Sequence, residues 1–313
     1  MDVARLRNLD LNLLLALDAL LEERNVSRAA HRVGVSQPSM SAALARLRRH
    51  FGDELLQRSG NRYHHTALAA QLAGRTKAAL VGVQRVFDAA PDFDPAVAER
   101  EFTLIVSDYG AAVLGEHLAE LVARQAPKVR LRFEYNVPQA VDNIEDTLRA
   151  VDGIVMPHGI LSDLPTIDLY EDSWSCVVSE DNDVVGDAPT LDDLANLPWV
   201  ATYRGPTAYT PAVRQLQMLG IEPNVHIVVE SFLAVPFLVS GTSRVAVLQT
   251  SLARRLAVAA GIRVLPCPWG VVPLKEAFWW HPLYDTDPAH TWLRGALTDA
   301  GRAVTDHYGC ARS

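Results

Sequence analysis

The sequence predicts an all-α N-terminal region that carries a short β-hairpin, followed by an α/β region folded into two lobes. Three observations carry this reading. In the first fifty residues apolar side chains recur at threes and fours, interrupted by capping residues and one Gly. Beyond a break at 91–95 with Pro at both ends, extended apolar runs alternate with helical ones. Charge divides at the same place: residues 1–90 hold 13 Lys and Arg against 8 Asp and Glu, a net of +5, whereas residues 91–313 hold 16 against 29, a net of −13. With 313 residues, 49% apolar and 21% charged, the chain buries a sizeable core in two or three domains, which excludes disorder. An overall charge of −8 argues against a uniformly basic polyanion binder, yet the split leaves the first ninety residues as a candidate one.

Asp10 is placed to cap a first helix through Arg24, whose Leu13, Leu14, Leu17, Leu20 and Leu21 make one apolar face. That face needs partner helices. Ser27 to Val33 reads as a short second helix, capped by Ser27, with Ala29 and Ala30 where another helix approaches closely and Gly34 as its end. Ser36 caps a third helix running to about His50, with Pro38 in its first turn, the part of a helix that tolerates proline. Its Met40, Ala43, Leu44 and Leu47 face inward, leaving Gln37, Ser39, Ser41, Arg46, Arg48 and Arg49 outside. A short helix, a Gly-bearing turn and a helix that opens with small polar residues is the helix-turn-helix pattern. Small side chains there let the backbone approach base edges, Gln37 can pair with adenine, Ser41 can reach bases or phosphates, and the arginines meet phosphates. Leu55 to Arg58 and Tyr63 to Thr66, joined by Ser59-Gly60-Asn61, form a hairpin, or wing. For each of these residues the plain alternative is a solvated surface position.

Thr66 to Ala90 reads as one long helix, with Leu68, Leu72, Ala79, Leu80, Val83 and Phe87 on a narrow seam suited to packing against its own copy. Packing on the N-terminal domain of the same chain is the alternative. Pro91-Asp92-Phe93-Asp94-Pro95 ends the helix and forms a hinge.

The run from Arg24 to Ala30 and on through Ser36-Gln37-Pro38-Ser39-Met40-Ser41, with Leu44-Ala45-Arg46-Leu47 and Phe51 to Arg58 after it, resembles the signature of the LysR-type transcriptional regulators. Its opening Leu-Asn-Leu-Leu and its Leu-Ala-Arg-Leu-Arg-Arg run look like the branch of nodulation and aromatic-catabolism regulators. Leu56 stands where that family usually has Phe, and His65-Thr66-Ala67-Leu68-Ala69 replaces the usual Leu-Thr-x-x-Gly, differences that bear on the wing. The resemblance implies operator contacts by Gln37, Pro38, Ser41 and the wing residue Arg58, with Arg62 as a further wing candidate. Ser36, Ser39, Arg46 and Arg49 complete the expected DNA-facing set. The seam of Leu68, Leu72, Leu80, Val83 and Phe87 predicts a homodimer; the resemblance implies a tetramer by pairing of regulatory domains, and RNA polymerase is an expected partner if the protein activates. The expected domains are a winged helix-turn-helix at 1–66, a linker helix at 67–90, a hinge at 91–95 and a regulatory domain at 96–313.

In that last span Phe102–Ser107, Val129–Tyr135 and Gly153–Met156 read as strands, with helices at Ala111–Gln125 and Gln139–Ala150 between them, giving βαβαβ and a parallel sheet. After 165 the order repeats: strands at 174–179, 200–203, 225–229 and 245–248, with helices at 210–219 and 233–240. The chain returns through extended runs at 263–265 and 277–281 and closes with a helix from Asp287 to about Asp306. This predicts lobe I at about 96–164 and 266–313 and lobe II at about 165–265. The family resemblance implies the same architecture, similar to type II periplasmic solute-binding proteins. Ligands in open α/β sheets sit beyond strand carboxyl ends, which selects Ser107, Asp108, Tyr109, Tyr203, Arg204, Thr207, Ser231, Phe232 and Gln249. Hydroxyls of Ser107, Thr207 and Ser231 would orient a polar head, Arg204 would pair a carboxylate, and Tyr203 and Phe232 would wall an aromatic body. A small organic molecule is thus the expected effector, with an aromatic or other organic acid as one candidate. Asp108 would repel it unless screened, so a neutral or cationic effector stays open. For Ser107 and Ser231 the alternative is helix capping alone.

Cys176, Cys267 and Cys310 are far apart in sequence, build no disulfide framework and supply no metal knuckle, which fits a reducing cytoplasm. The start of the chain does not read as a signal peptide, and no run approaches a membrane span. Nucleophile elbow, dinucleotide loop, Walker loop and zinc helix motifs are missing, so no enzyme activity, cofactor or metal is expected. Adjacent His64 and His65 point to opposite strand faces, against a metal pair. Asp192-Asp193 reads as helix-start acids, and Trp174, Trp279 and Trp280 as core. The leading expectation is an effector-responsive regulator that binds double-stranded DNA. The alternatives are a constitutive regulator whose clamp serves only assembly, and a solute receptor or enzyme with a fused helical domain.

Overall fold

The computed structural model describes residues 10–59, 62–88, 92–135, 143–202 and 210–308. The chain forms two compact units, Met1–Pro91 with Asn143–Val151, and Asp92–Asp142 with Asp152–Ser313.

In the first unit, α1 (Leu11–Glu23) starts where the Asp10 carboxylate accepts from the Asn12 amide, and closes on Arg24 in the left-handed region at φ +47°. α2 (Val26–Val33) is capped by Asn25, not by Ser27 as the sequence suggested. The left-handed turn at Arg24 leaves Asn25 extended, so its side-chain oxygen meets the Arg28 amide at 2.9 Å and the helix starts before Ser27. Gly34, at φ +75°, ends α2 in a conformation costly to side-chain-bearing residues. α3 (Gln37–Phe51) begins on the Ser36 hydroxyl, with Pro38 in its first turn. Leu17, Leu20, Leu21, Ala29, Ala30, Met40, Leu44 and Leu47 close one core with Leu55 and Leu56. β1 (Leu56–Ser59) and β2 (Arg62–His65) pair antiparallel as the wing. α4 (Ala67–Asp88) follows, with Leu72 and Ala73 packed on the same core.

The second unit opens with β3 (Glu101–Val106), α5 (Asp108–Gln125) and β4 (Arg130–Tyr135). α6 (Ile144–Ala150) belongs by its contacts to the first unit, where Asp146 lies 3.9 Å from Arg75 of α4. The helix expected from 139 is described only from Ile144; its earlier residues lie outside the described ones. β5 (Gly153–Pro157) and β6 (Thr166–Asp172) complete the first sheet's early strands. There follow β7 (Trp174–Ser179), α7 (Leu191–Asn196), β8 (Pro198–Thr202), α8 (Pro211–Met218), β9 (Asn224–Val229), α9 (Val235–Val239), β10 (Val245–Gln249), α10 (Thr250–Ala260) and β11 (Ile262–Pro266). β12 (Leu274–Trp279) and α11 (Pro288–Tyr308) return to the first lobe.

Two five-stranded sheets result, in the orders β4-β3-β5-β12-β6 and β11-β7-β10-β8-β9. The expected parallel core is present as β4, β3 and β5, and as β9, β8 and β10. Both sheets are nevertheless mixed, because β12 runs antiparallel to β5 and β6, and β7 antiparallel to β10 and β11. Among the strands and α-helices described, two escaped the sequence reading. β6 pairs with β12 in the first sheet, which moves the first passage between lobes from 165 to Ser173. α10 follows β10 directly, with Leu252 and Ala253 buried and its outer face exposed. Phe102, Leu104, Val113, Leu118, Phe278, Leu293 and Leu297 fill the first lobe's core, and Val177, Val200, Ala246 and Leu248 lie in the second's. A Cβ on Gly301 would stand 2.4 Å from the Leu169 carbonyl oxygen, so the glycine lets α11 lie directly against β6.

Candidate DNA-reading surface and interlobe site

On α3 the amphipathic split is complete: Met40, Leu44 and Leu47 are buried, while Ser36, Gln37, Pro38, Ser39, Ser41, Arg46 and Arg49 are exposed. The Ser36 and Ser39 hydroxyls lie 2.8 Å apart and Ser36 accepts from the Ser39 amide, so both are engaged in starting the helix. Arg46 reaches the Asp10 carboxylate at 3.1 Å, and Arg49 makes no hydrogen bond or ion pair with any described residue. Arg48, read from sequence as another outward arginine, instead donates to the Glu54 and Leu56 carbonyls at 2.9 and 3.1 Å and ties α3 to the wing. Asp53 fastens both ends of the wing by accepting from the Leu55 amide at 2.6 Å and the Thr66 hydroxyl at 2.7 Å. Arg58 is exposed on β1; the side chain of Arg62 and residues 60 and 61 lie outside the described ones. His65 packs back with Nε2 2.7 Å from the Leu21 carbonyl while His64 is exposed. Among the described residues no three His, Cys, Asp or Glu are grouped to hold a metal.

Along α4 the seam residues differ in surroundings. Leu68, Leu72, Leu80 and Val83 are half-buried, and Leu72 is already committed to the helix-turn-helix core. Phe87 is 82% exposed, next to Val86 at 73%.

Between the lobes, the Ser107 hydroxyl accepts from the Gly110 amide at 3.0 Å and caps α5. Asp108 follows and reaches across: its Oδ2 accepts from the Ser231 hydroxyl at 2.7 Å and the Leu233 amide at 3.1 Å, while Oδ1 accepts from the Tyr109 amide. Ser231 also caps its own turn by accepting from the Ala234 amide. The Phe232 ring stands edge-on to Tyr109 at 6.5 Å. The structure therefore brings Ser107, Asp108, Ser231 and Phe232 together at strand ends, with the Asp108 carboxylate on the Ser231 and Leu233 donors. Tyr109 and Gln249 lie deeper than a pocket wall, at 1% and 2% exposure, because one sits on the inner side of α5 and the other ends a buried central strand. Tyr203, Arg204 and Thr207 lie outside the described residues.

Beneath this point is a cluster that the sequence reading missed. The Tyr109 hydroxyl donates to Asp172 at 2.8 Å, and the amides of Ser173 and Ser251 donate to the same carboxylate at 2.8 and 3.3 Å. Asp172 thus gathers donors from both lobes where the chain crosses. Burial raises its pKa, although the Tyr109 and Ser251 hydrogen bonds pull the other way. Glu276 of β12 is buried with Oε2 unpaired, and burial together with the charge of Asp172 pushes it up to about 8. The signal for Glu276 was available: it alternates with Leu274 and Phe278, placing an acid on the inward face of an apolar strand.

Several expected structural residues are in place. Thr190 and Asp193 cap α7 reciprocally, and Trp174, Trp279 and Trp280 are buried. Cys176 and Cys267, remote in sequence, meet as free thiols with Sγ atoms 3.9 Å apart; Cys310 lies outside the described residues.

A winged helix-turn-helix with a polar, arginine-bearing reading helix, joined to a two-lobed α/β domain, defines a DNA-binding regulator with a small-molecule-binding domain. Residues 11–79 match the bacterial regulatory helix-turn-helix proteins of the lysR family, and residues 96–302 match the LysR substrate binding domain. Nodulation protein D 2 of Rhizobium tropici is 33% identical over 297 residues, covering 94% of this chain and 93% of the relative. Nodulation protein D 1 of Rhizobium meliloti is 35% identical over 298 residues, covering 94% and 95%. The crystal structure of a probable transcriptional regulator of Pseudomonas aeruginosa superposes with a TM-score of 0.70 at 31% identity, covering 94% of this chain and 98% of that one. Full-length CbnR bound to its target DNA shares the fold at 17% identity and a TM-score of 0.65, covering 95% and 100%. The chain belongs to the LysR family of transcriptional regulators, with a DNA-binding helix-turn-helix and an effector-binding domain. Among the described residues no helix is long and apolar enough to cross a membrane.

Proposed function

We propose that this regulator works in the cytoplasm as a homodimer joined through α4, with pairing of regulatory domains giving a tetramer, and that a small organic effector bound between the lobes modulates its action on operator DNA. Gln37, Pro38 and Ser41 read or approach the operator, Ser36 and Ser39 shape the start of the reading helix, and Arg46, Arg49, Arg58 and Arg62 meet phosphates. Where the protein activates, RNA polymerase is its further partner. The proposal includes no catalysis, cofactor or metal.

The observation that carries the effector reading is the Asp108 bridge. Two lobes joined at a strand end by hydrogen bonds that a ligand can replace form an element whose balance a small molecule can shift. The same observation supports a second reading of the effector's charge. A ligand carboxylate aimed at Ser231 and Leu233 meets a carboxylate already there, so a neutral compound bearing hydroxyl donors is favoured wherever Arg204 does not screen. The test is a thermal-shift screen of the full chain with aromatic acids and their uncharged phenolic counterparts, since a ligand selective for the folded state raises Tm by mass action. Hits should also alter operator affinity. A screen in which no compound shifts Tm or DNA binding would favour the constitutive regulator instead.

A further inference from the structure

About 12 Å along α5 from Asp108, a cavity opens between three helices. It has a volume of about 490 Å3 and is lined by Glu116 and His117 of α5, Arg254 and Arg255 of α10, and His307 and Tyr308 at the end of α11. α5 and α11 cover the first sheet while α10 covers the second, so the cavity straddles the two lobes. Arg255 forms an ion pair with Glu116 across that junction. The guanidinium holds the Glu116 carboxyl below its ordinary value, so the one acid in the lining is already neutralised. Arg254 is exposed and has no hydrogen bond or ion pair with any described residue. The rings of His117 and His307 lie 6.0 Å apart, and His307 stands edge-on to Tyr308 at 4.5 Å.

Arg255 is engaged by both Glu116 and the Tyr308 phenol, and with Arg254 and two imidazoles beside that pair the hollow is a concentration of cationic and donor groups in a span that carries a net charge of −13. A guanidinium fork matches the oxygens of a phosphate, and the imidazoles and phenol add donors from the other lobe. The volume is that of a small-molecule site and exceeds the needs of a single inorganic ion. We propose that this cavity binds a small phosphorylated metabolite through its phosphate group, at a site separate from the interlobe effector site. Arg254 supplies the free charge, and His117 and His307 supply donors from the first lobe. A ligand so held touches both lobes and raises the stability of the regulatory domain.

The experiment titrates the full chain with pyrophosphate as probe at constant ionic strength, reading heat and Tm, with chloride as control. Saturable binding of one pyrophosphate per chain is expected, weakened about tenfold or more in Arg254→Gln, the loss of a charge-assisted hydrogen-bonding pair. Arg254 has no partner to lose, so unchanged helical circular dichroism should accompany that loss. Arg124→Gln, on the same domain but outside the cavity, should leave binding intact. Pyrophosphate binding that is absent, non-saturable, reproduced by chloride or indifferent to Arg254→Gln overturns the proposal. A second arm measures random-duplex affinity: it should be equal in wild type and Arg254→Gln, and a drop in the variant would reassign the arginine to the DNA backbone and overturn the metabolite site.

Discussion

Glu276 holds its proton in the folded protein because burial makes its charged form costly. Its value rises from the ordinary 4.5 to about 8, so the folded state binds the proton more tightly than the unfolded chain does. Stability is therefore lost as pH climbs from about 4.5 to about 8 and levels off above that, a contribution on the order of a few kcal/mol. Glu276→Gln should raise Tm at pH 8 and flatten its fall between pH 5 and 8; an unchanged pH profile would place the titrating group elsewhere. Asp108 makes a second case. Asp108→Asn keeps an acceptor for Ser231 and Leu233 but removes the charge, so Tm shifts from acidic compounds should grow while those from uncharged phenols hold or shrink. Both residues were visible as letters and opaque as roles. Asp108 drew notice as a charge beside the pocket, but its bond to Ser231 joins positions more than a hundred residues apart. Asp172 and Glu276 meet only because β6 and β12 become neighbours, a pairing that no local pattern encodes.

The helices of the first unit followed from their caps and periodicity, since Asp10, Ser36 and Gly34 act on their own neighbours in sequence. The one displaced start, at α2, turned on a left-handed Arg24 that sequence patterns do not announce. β6 and α10 were hidden for another reason. β6 carries Asp168 and Glu171 on its exposed side because it lies at a sheet edge, and the buried Asp172 ends it; α10 begins on the residue after a strand with no separating turn. On α3, Gln37→Ala should weaken operator binding relative to random duplex by about 1–3 kcal/mol, whereas Arg49→Ala should weaken both alike. Equal losses for Gln37→Ala, measured by fluorescence anisotropy, would remove its base-reading role. For α4, the packing of Leu72 on the helix-turn-helix core makes it a poor probe of self-association. Val83→Glu with Phe87→Glu tests the seam where side chains reach solvent, and light scattering should show the assembly reduced to smaller species. An unchanged mass would put the contact elsewhere.

Across the whole molecule the charge split assigns polyanion binding to the first ninety residues. The basic module should bind duplex DNA with an affinity that falls steeply with salt, with a slope in log–log form near −0.9 for each phosphate met by Arg46, Arg49 or Arg58. Anisotropy titrations of the full chain at several salt concentrations measure it, and a flat response would exclude backbone contacts as the main attraction. The two-lobed plan was readable because each lobe repeats the strand–helix alternation, while the exact strand at which the chain crosses depended on long-range pairing. One consequence of the Asp108 bridge concerns dose. A carboxylate tethered to the protein competes for the Ser231 and Leu233 donors at a fixed local concentration that dilution does not alter. Any external compound that needs those donors must outcompete this built-in occupant, so its apparent affinity is its intrinsic affinity multiplied by the fraction of time the donors are vacant. For a compound that uses those donors, the whole dose curve would move to higher concentration by a factor set by one side chain.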